Sequence, residues 1–160
     1  DLAVLQDERL LQYIRTESLP RPVFYDKLCE NVGLLKLIPG TKRELVAFMM
    51  EHYDGIVVES FGVGGLPEYP GEEFYPLVQR AVERGKIVVM TTQVPNEGSD
   101  LSVYHVGGHL KNTLHLLEAF DMTTEAAVCK LMWILGQTRE FEQVRALFNR
   151  PVAWDILTQS

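Results

Sequence analysis

Ile56, Val57 and Val58 form a short β-branched run within DGIVVES, a pattern that predicts a strand buried on both faces. Ser60, Phe61, Gly62, Val63, Gly64, Gly65 and Pro67 follow at once, which concentrates backbone freedom at the carboxyl end of that strand. In open parallel α/β sheets this is the edge where ligands and partner surfaces meet. Two further apolar runs resemble the first: NVGLLKLIPG, closed by the turn-forming Pro39 and Gly40, and KIVVMTT, from Lys86 to Thr92. Between the first two runs, Thr41 stands at an N-cap position with Glu44 three residues on. That spacing predicts a capping box and a helix with Leu45, Phe48, Met49 and His52 on one stripe. Between the second and third, Leu77, Val78, Ala81 and Val82 predict a helix behind Glu72 and Glu73 that stops at Gly85.

The alternation is βαβαβ, which calls for a parallel sheet with right-handed crossovers. Beyond it, Gln93 to Gly108 reads as a long irregular loop of the kind that carries function or an interface. Leu110, Leu114, Leu117 and Ala119 predict a helix after it. A further helix is capped by Thr123 or Thr124, buries Ala126, Ala127, Leu131, Ile134 and Leu135, and stops at Gly136; a last one runs from Thr138 to Phe148. Upstream, Leu2, Leu5, Leu10, Leu11 and Ile14 only approximate a helical spacing. Pro20 and Pro22 end any helix there, and residues 22–28 read as a short edge strand. The expected fold is an α/β domain of three layers over residues 22–160. Its mainly parallel sheet of about four strands carries helices on both faces, in a Rossmann-like arrangement, and residues 1–21 form a linker from a preceding domain.

Composition narrows the functional classes. With 160 residues, 46% of them hydrophobic, the chain supports one sizeable core. A net charge of −7 argues against a general electrostatic footprint for nucleic acid and against docking on an anionic membrane. No apolar run approaches the length of a membrane span. Cys29 and Cys129 lack CxxC spacing, so reduced thiols in a cytoplasmic protein are expected. The first residue is Asp1 rather than methionine, which raises the expectation of a piece of a longer protein.

Each candidate chemistry has a plainer reading. FGVGG is not a dinucleotide fingerprint, because Pro67, Tyr69 and Pro70 delay the helix that must follow one. His105, His109 and His115 lack the acidic or thiol partners of a metal site, so neither metal nor cofactor is expected. Ser60 lacks the GxSxG elbow of a nucleophilic serine. Thr91 and Thr92 end a strand, where threonines bond local backbone. His52, Met122, Met132 and Trp133 read as packing residues.

Three segments in order, GIVVESFGVGGLP, TTQVPNEGSDLSVYHVGG and DMTTEAAVCKLMWILG, resemble the carboxyl-terminal domain of bacterial type I (cytosolic) L-asparaginases. The likeness runs from about Pro22 to Phe148, and DMTxEAxxxKLxxxL is its most specific part. The resemblance implies a two-domain α/β amidohydrolase that converts L-asparagine and water to L-aspartate and ammonia. The family's threonine nucleophile lies in an amino-terminal TGGTI-like motif, absent from these 160 residues, so no catalytic residue is expected in this chain. Its implied role is to build a dimer or tetramer and to complete active sites in neighbouring subunits. Tyr104, in the long loop, is the first substrate-proximal or intersubunit candidate, with Asn96 and Ser60 behind it. In some relatives an allosteric asparagine pocket uses an arginine before S-[FY]-G and a cysteine after the TQ pair. Here those positions are Glu59 and Val94, so that regulation is not expected. Gly65 stands where many relatives have asparagine. The alternatives are a free-standing, non-catalytic α/β domain that binds a ligand or a partner, and an unrelated doubly wound binding protein. An upstream TGGTI motif in the reading frame distinguishes the asparaginase from both.

Overall fold

A computed structural model describes residues 3–6, 9–12, 23–61, 65–66, 68–69, 72–94 and 114–156. In chain order the elements are β1 (Ala3–Gln6), β2 (Arg9–Gln12), β3 (Val32–Lys36), α1 (Arg43–His52), β4 (Gly55–Ser60), β5 (Glu68–Tyr69) and β6 (Glu72–Glu73). They continue with α2 (Tyr75–Glu83), β7 (Ile87–Thr92), β8 (Leu117–Glu118), α3 (Thr124–Gln137) and α4 (Phe141–Asn149). The central sheet has four strands in the order β3-β4-β7-β8, and every neighbouring pair is parallel. Its registered rows cross the whole sheet: Leu34, Val57, Val89 and Leu117 lie side by side, and so do Leu35, Val58, Met90 and Glu118.

The two rows point to opposite layers, as the period of two along a strand requires. Ile56, Val58, Val88 and Met90 pack with Val46, Met50, Phe74 and Val78 beneath α1 and α2. Val57, Val89 and Leu117 pack with Leu131, Ile134, Val144 and Phe148 beneath α3 and α4. Phe74 and Phe148, one in each layer, are fully buried. Truncating such a side chain to alanine costs about 3–5 kcal/mol.

The expected three-layer domain with a parallel sheet is present, and several local expectations are corrected. Residues 114–119 form no helix; within them Leu117–Glu118 make a short strand. Leu114 and Leu116 enter the first cluster while Leu117 and Ala119 enter the second, an alternation between faces that a helix does not produce. Residues 23–30 form no strand but lie against α3, with the Cys29 N–H donating to the Met132 carbonyl at 2.9 Å. Ala3–Gln6 and Arg9–Gln12 pair as antiparallel strands, where an approximate helix was expected.

Thr41 does not cap α1. Its hydroxyl accepts from the Ile38 N–H at 2.9 Å and donates to the Ile38 carbonyl at 2.7 Å, closing the Pro39-Gly40 turn, while Lys42 takes the N-cap position. The stripe expected to face the core is turned: Val46, Met49 and Met50 are buried, and Leu45, Phe48 and His52 are exposed. The helix ending near Gly136 runs through it to Gln137. A Cβ at Gly136 would stand 2.4 Å from the Lys27 carbonyl oxygen, so glycine is what lets residues 23–30 lie against the helix. Thr123 does cap α3, accepting from the Ala126 N–H at 3.2 Å.

Candidate functional site

The sheet's carboxyl edge gathers the chemistry the sequence singled out. Ser60, at the end of β4, is 1% exposed, and its hydroxyl donates to the Gly65 carbonyl. The hydroxyl is therefore committed to closing the loop after the strand. Beside it, Glu59 holds an ion pair with Lys36 of β3, Oε1 to Nζ at 3.1 Å, so the acid expected to repel an anionic effector carries its own cation. Thr91 is buried, and the Thr92 hydroxyl accepts from the Val94 N–H at 3.1 Å, the local backbone bond expected of a strand-end threonine. Tyr104, Asn96, His105 and His109 lie outside the described residues. His115 is exposed with φ of 51°, in edge-to-face contact with Phe141.

Gln93 is the residue that sequence reasoning missed. Its Nε2 donates to the Leu37 carbonyl at 2.7 Å and lies 3.3 Å from that of Glu59, while its N–H donates to the Ser60 carbonyl at 2.8 Å. One residue thus ties the carboxyl ends of β3, β4 and β7 together, its amide taking the Leu37 carbonyl and sharing that of Glu59 with the Leu37 N–H. The available signal was positional: a glutamine one residue beyond an apolar strand, at the start of a long loop.

At the opposite edge, Asn31, Asp54 and Arg139 line a cleft of about 720 Å³ together with Cys29 and Gly136. Asp54 Oδ2 lies 2.9 Å from Arg139 Nη1, and Arg139 Nη2 lies 3.8 Å from Cys29 Sγ. Burial pushes the Asp54 carboxyl up, but hydrogen bonds from Arg139 and Asn31 and the charges of Arg139 and Lys86 outweigh it. Its pKa falls below the usual value, and that of Arg139 rises through the same hydrogen bond. Lys86 Nζ donates to the Glu51 and Tyr53 carbonyls at 2.9 and 2.6 Å, closing the carboxyl end of α1. These partners bind one another, and the geometry is that of a fastening between elements.

Among the described residues no cluster of three or more His, Cys, Asp or Glu side chains is placed to hold a metal ion, and no helix is long and apolar enough to cross a membrane. Cys29 and Cys129 are both free.

The parallel sheet between two helical layers defines a three-layer α/β domain. A family model described as the glutaminase/asparaginase C-terminal domain matches residues 31–148, and the chain belongs to that family. An L-asparaginase from Thermococcus kodakarensis is 38% identical over 157 residues, covering 98% of this chain and 47% of the relative. A glutamyl-tRNA(Gln) amidotransferase component from Pyrococcus horikoshii is 38% identical over 132 residues, covering 82% of this chain and 29% of the relative. The solved structure of the thermostable L-asparaginase from Thermococcus kodakarensis superposes with a TM-score of 0.86 at 36% identity, covering 99% of this chain and 48% of that one. The chain spans about half the length of the asparaginase it matches, and less of the amidotransferase component.

Proposed function

We propose that this chain is the carboxyl-terminal domain of an L-asparaginase, an amidohydrolase whose reactive threonine belongs to an amino-terminal domain outside these 160 residues. The observation that carries the reading is the 157-residue match to an L-asparaginase over 98% of the chain, on the same fold. Residues 1–21 are then the linker and residues 22–160 the domain. Its work is to shape neighbouring active sites within a homo-oligomer: Tyr104 and Asn96 reach a partner's site from the long loop, and Ser60 supports that site through the loop it closes. The cytoplasmic type I branch fits DMTTEAAVCKL and two unpaired cysteines.

Glu59 and Val94 replace the arginine and cysteine of the allosteric pocket in this reading. Pairing with Lys36 tempers the charge of Glu59 but offers no fork of donors to an amino-acid carboxylate. The test is ammonia release from L-asparagine by the longer protein, with the 160-residue chain alone as control. The longer protein should hydrolyse asparagine and bind it at a single class of site by calorimetry, and the short chain should be inert. Turnover by the short chain, or none by the longer protein, overturns the asparaginase reading. A second binding site abolished by Glu59→Ala overturns the prediction about regulation.

The amidotransferase relatives favour a second reading, in which the domain serves amide hydrolysis coupled to another reaction. The identity is the same but the match is shorter, 132 residues against 157. Ammonia release that depends on a second protein would favour it.

A further inference from the structure

A cleft of about 250 Å³ lies between β8, the last strand of the central sheet, and α4. Residues four apart put Phe141, Arg145 and Asn149 on one stripe of α4, and all three line the cleft. From the other side come His115 and Phe120, which flank β8, over a floor of Leu116 and Leu117. The rings of His115 and Phe141 meet edge to face at 5.2 Å. Glu118 borders the same space, but it shares a row with Leu35, Val58 and Met90, which directs its side chain to the opposite layer.

Two features set this cleft apart from ordinary surface. His115 and Phe120 have φ of 51° and 52°, a left-handed backbone that side-chain-bearing residues rarely adopt. Strain of this kind collects at ligand clamps, and here both strained residues bring a ring to one cleft. The second feature is charge. Arg145 bonds Glu142 through Nη2, an exposed pair of the kind that adds little to stability. Its other guanidinium nitrogens have no protein partner among the described residues.

We propose that this cleft binds a planar aromatic carboxylate of one or two fused rings. His115, Phe120 and Phe141 supply edges and faces for a flat π system, Arg145 takes the carboxylate, and the Asn149 amide adds a donor and an acceptor. The volume suits a ligand of that size and is small for a nucleotide. None of these residues enters the asparaginase reading, so the site stands or falls separately from it.

NMR titration of the isotope-labelled chain with indole-3-acetate, indole-3-ethanol and hexanoate tests the site. Indole-3-acetate should bind saturably at roughly millimolar concentration or below and shift the signals of His115, Phe120 and Arg145. Each of the other two lacks half of the chemistry and should bind about tenfold more weakly or worse. Arg145→Gln should bring indole-3-acetate down to the affinity of indole-3-ethanol and leave indole-3-ethanol unchanged. Phe120→Gly removes a ring and the backbone strain together, so it should weaken indole-3-acetate by roughly tenfold and leave the melting temperature no lower. No saturable binding of indole-3-acetate overturns the site. Equal binding of either control overturns the aromatic carboxylate as its ligand, and binding that survives Arg145→Gln or Phe120→Gly unchanged overturns the cleft as its seat.

Discussion

Lys130 shows how a single side chain can be read wrongly from pattern and rightly from partners. It sits on the core face of α3 among alanine and leucine, a position where a lysine reads as misplaced. Its side chain is 4% exposed, and the ammonium is 2.7 Å from Asp155 Oδ2, donates to the Arg150 carbonyl at 2.8 Å and lies 5.6 Å from the Phe148 ring centre. Asp155 in turn accepts from the Val152 N–H at 2.6 Å, so one buried cation fastens the turn after α4. Lys130→Met leaves that carboxylate unpaired, and should cost about 3 kcal/mol and lower the melting temperature by roughly 10 °C. Adding Asp155→Leu should recover part of the loss, which calorimetry of both variants will show.

Asp54 gives the pH counterpart. Because its folded pKa is depressed, its contribution to stability is present above the unfolded value and is lost as pH falls through the folded one. Denaturant melts between about pH 5 and pH 3 should fall less steeply for Asp54→Asn than for the parent. Thr41 and Gln93 mark the limit of reading residues singly. The TxxE pattern is real, but the hydroxyl's competing bond to Ile38 closes the turn, and the reach of Gln93 across three strands has no local signature.

At the scale of elements, the strands were legible because β-branched runs between turn residues have no other outcome. β4 and β7 are buried over almost their whole lengths, as the sequence pattern requires. Residues 114–119 were not, since leucines three apart fit a helix, while a short strand against β7 is fixed only by tertiary register. The direction of α1 was ambiguous for a similar reason. Leu45 and Phe48 compete with Val46 and Met50 for the core, and the close approach of Met49 to Gly33 settles which wins.

Gly136 belongs to the same scale. Alanine is the better helix former by about 1 kcal/mol, so Gly136→Ala should barely change the melting of the sheet. Its methyl would displace residues 27 and 28, and trypsin cleavage at Lys27 should accelerate roughly tenfold. An unchanged cleavage rate would mean that the segment is held elsewhere.

For the whole molecule, the βαβαβ alternation led to the parallel sheet, and the return of α3 and α4 on the other face completed three layers. The parallel pairing of β3, β4 and β7 and the helical layers follow from hydrophobic periodicity and the handedness of crossovers, whereas the place of β8 does not. The proposed contribution to a hydrolase is not readable in the same way, because an active site shared between domains would leave each with fragments of a constellation. Among the described residues, the buried polar groups Ser60, Thr91 and Lys130 serve the fold.

The attachments of α3 set how the domain answers to tension. The incoming strap at residues 27–29 is bonded to Met132 and Gln137, and the outgoing turn is bonded to Lys130, so both ends of the described domain are moored to one rod. A pull from a tethered neighbour at either end would load that rod before the strands, and the sheet would be the last part to yield.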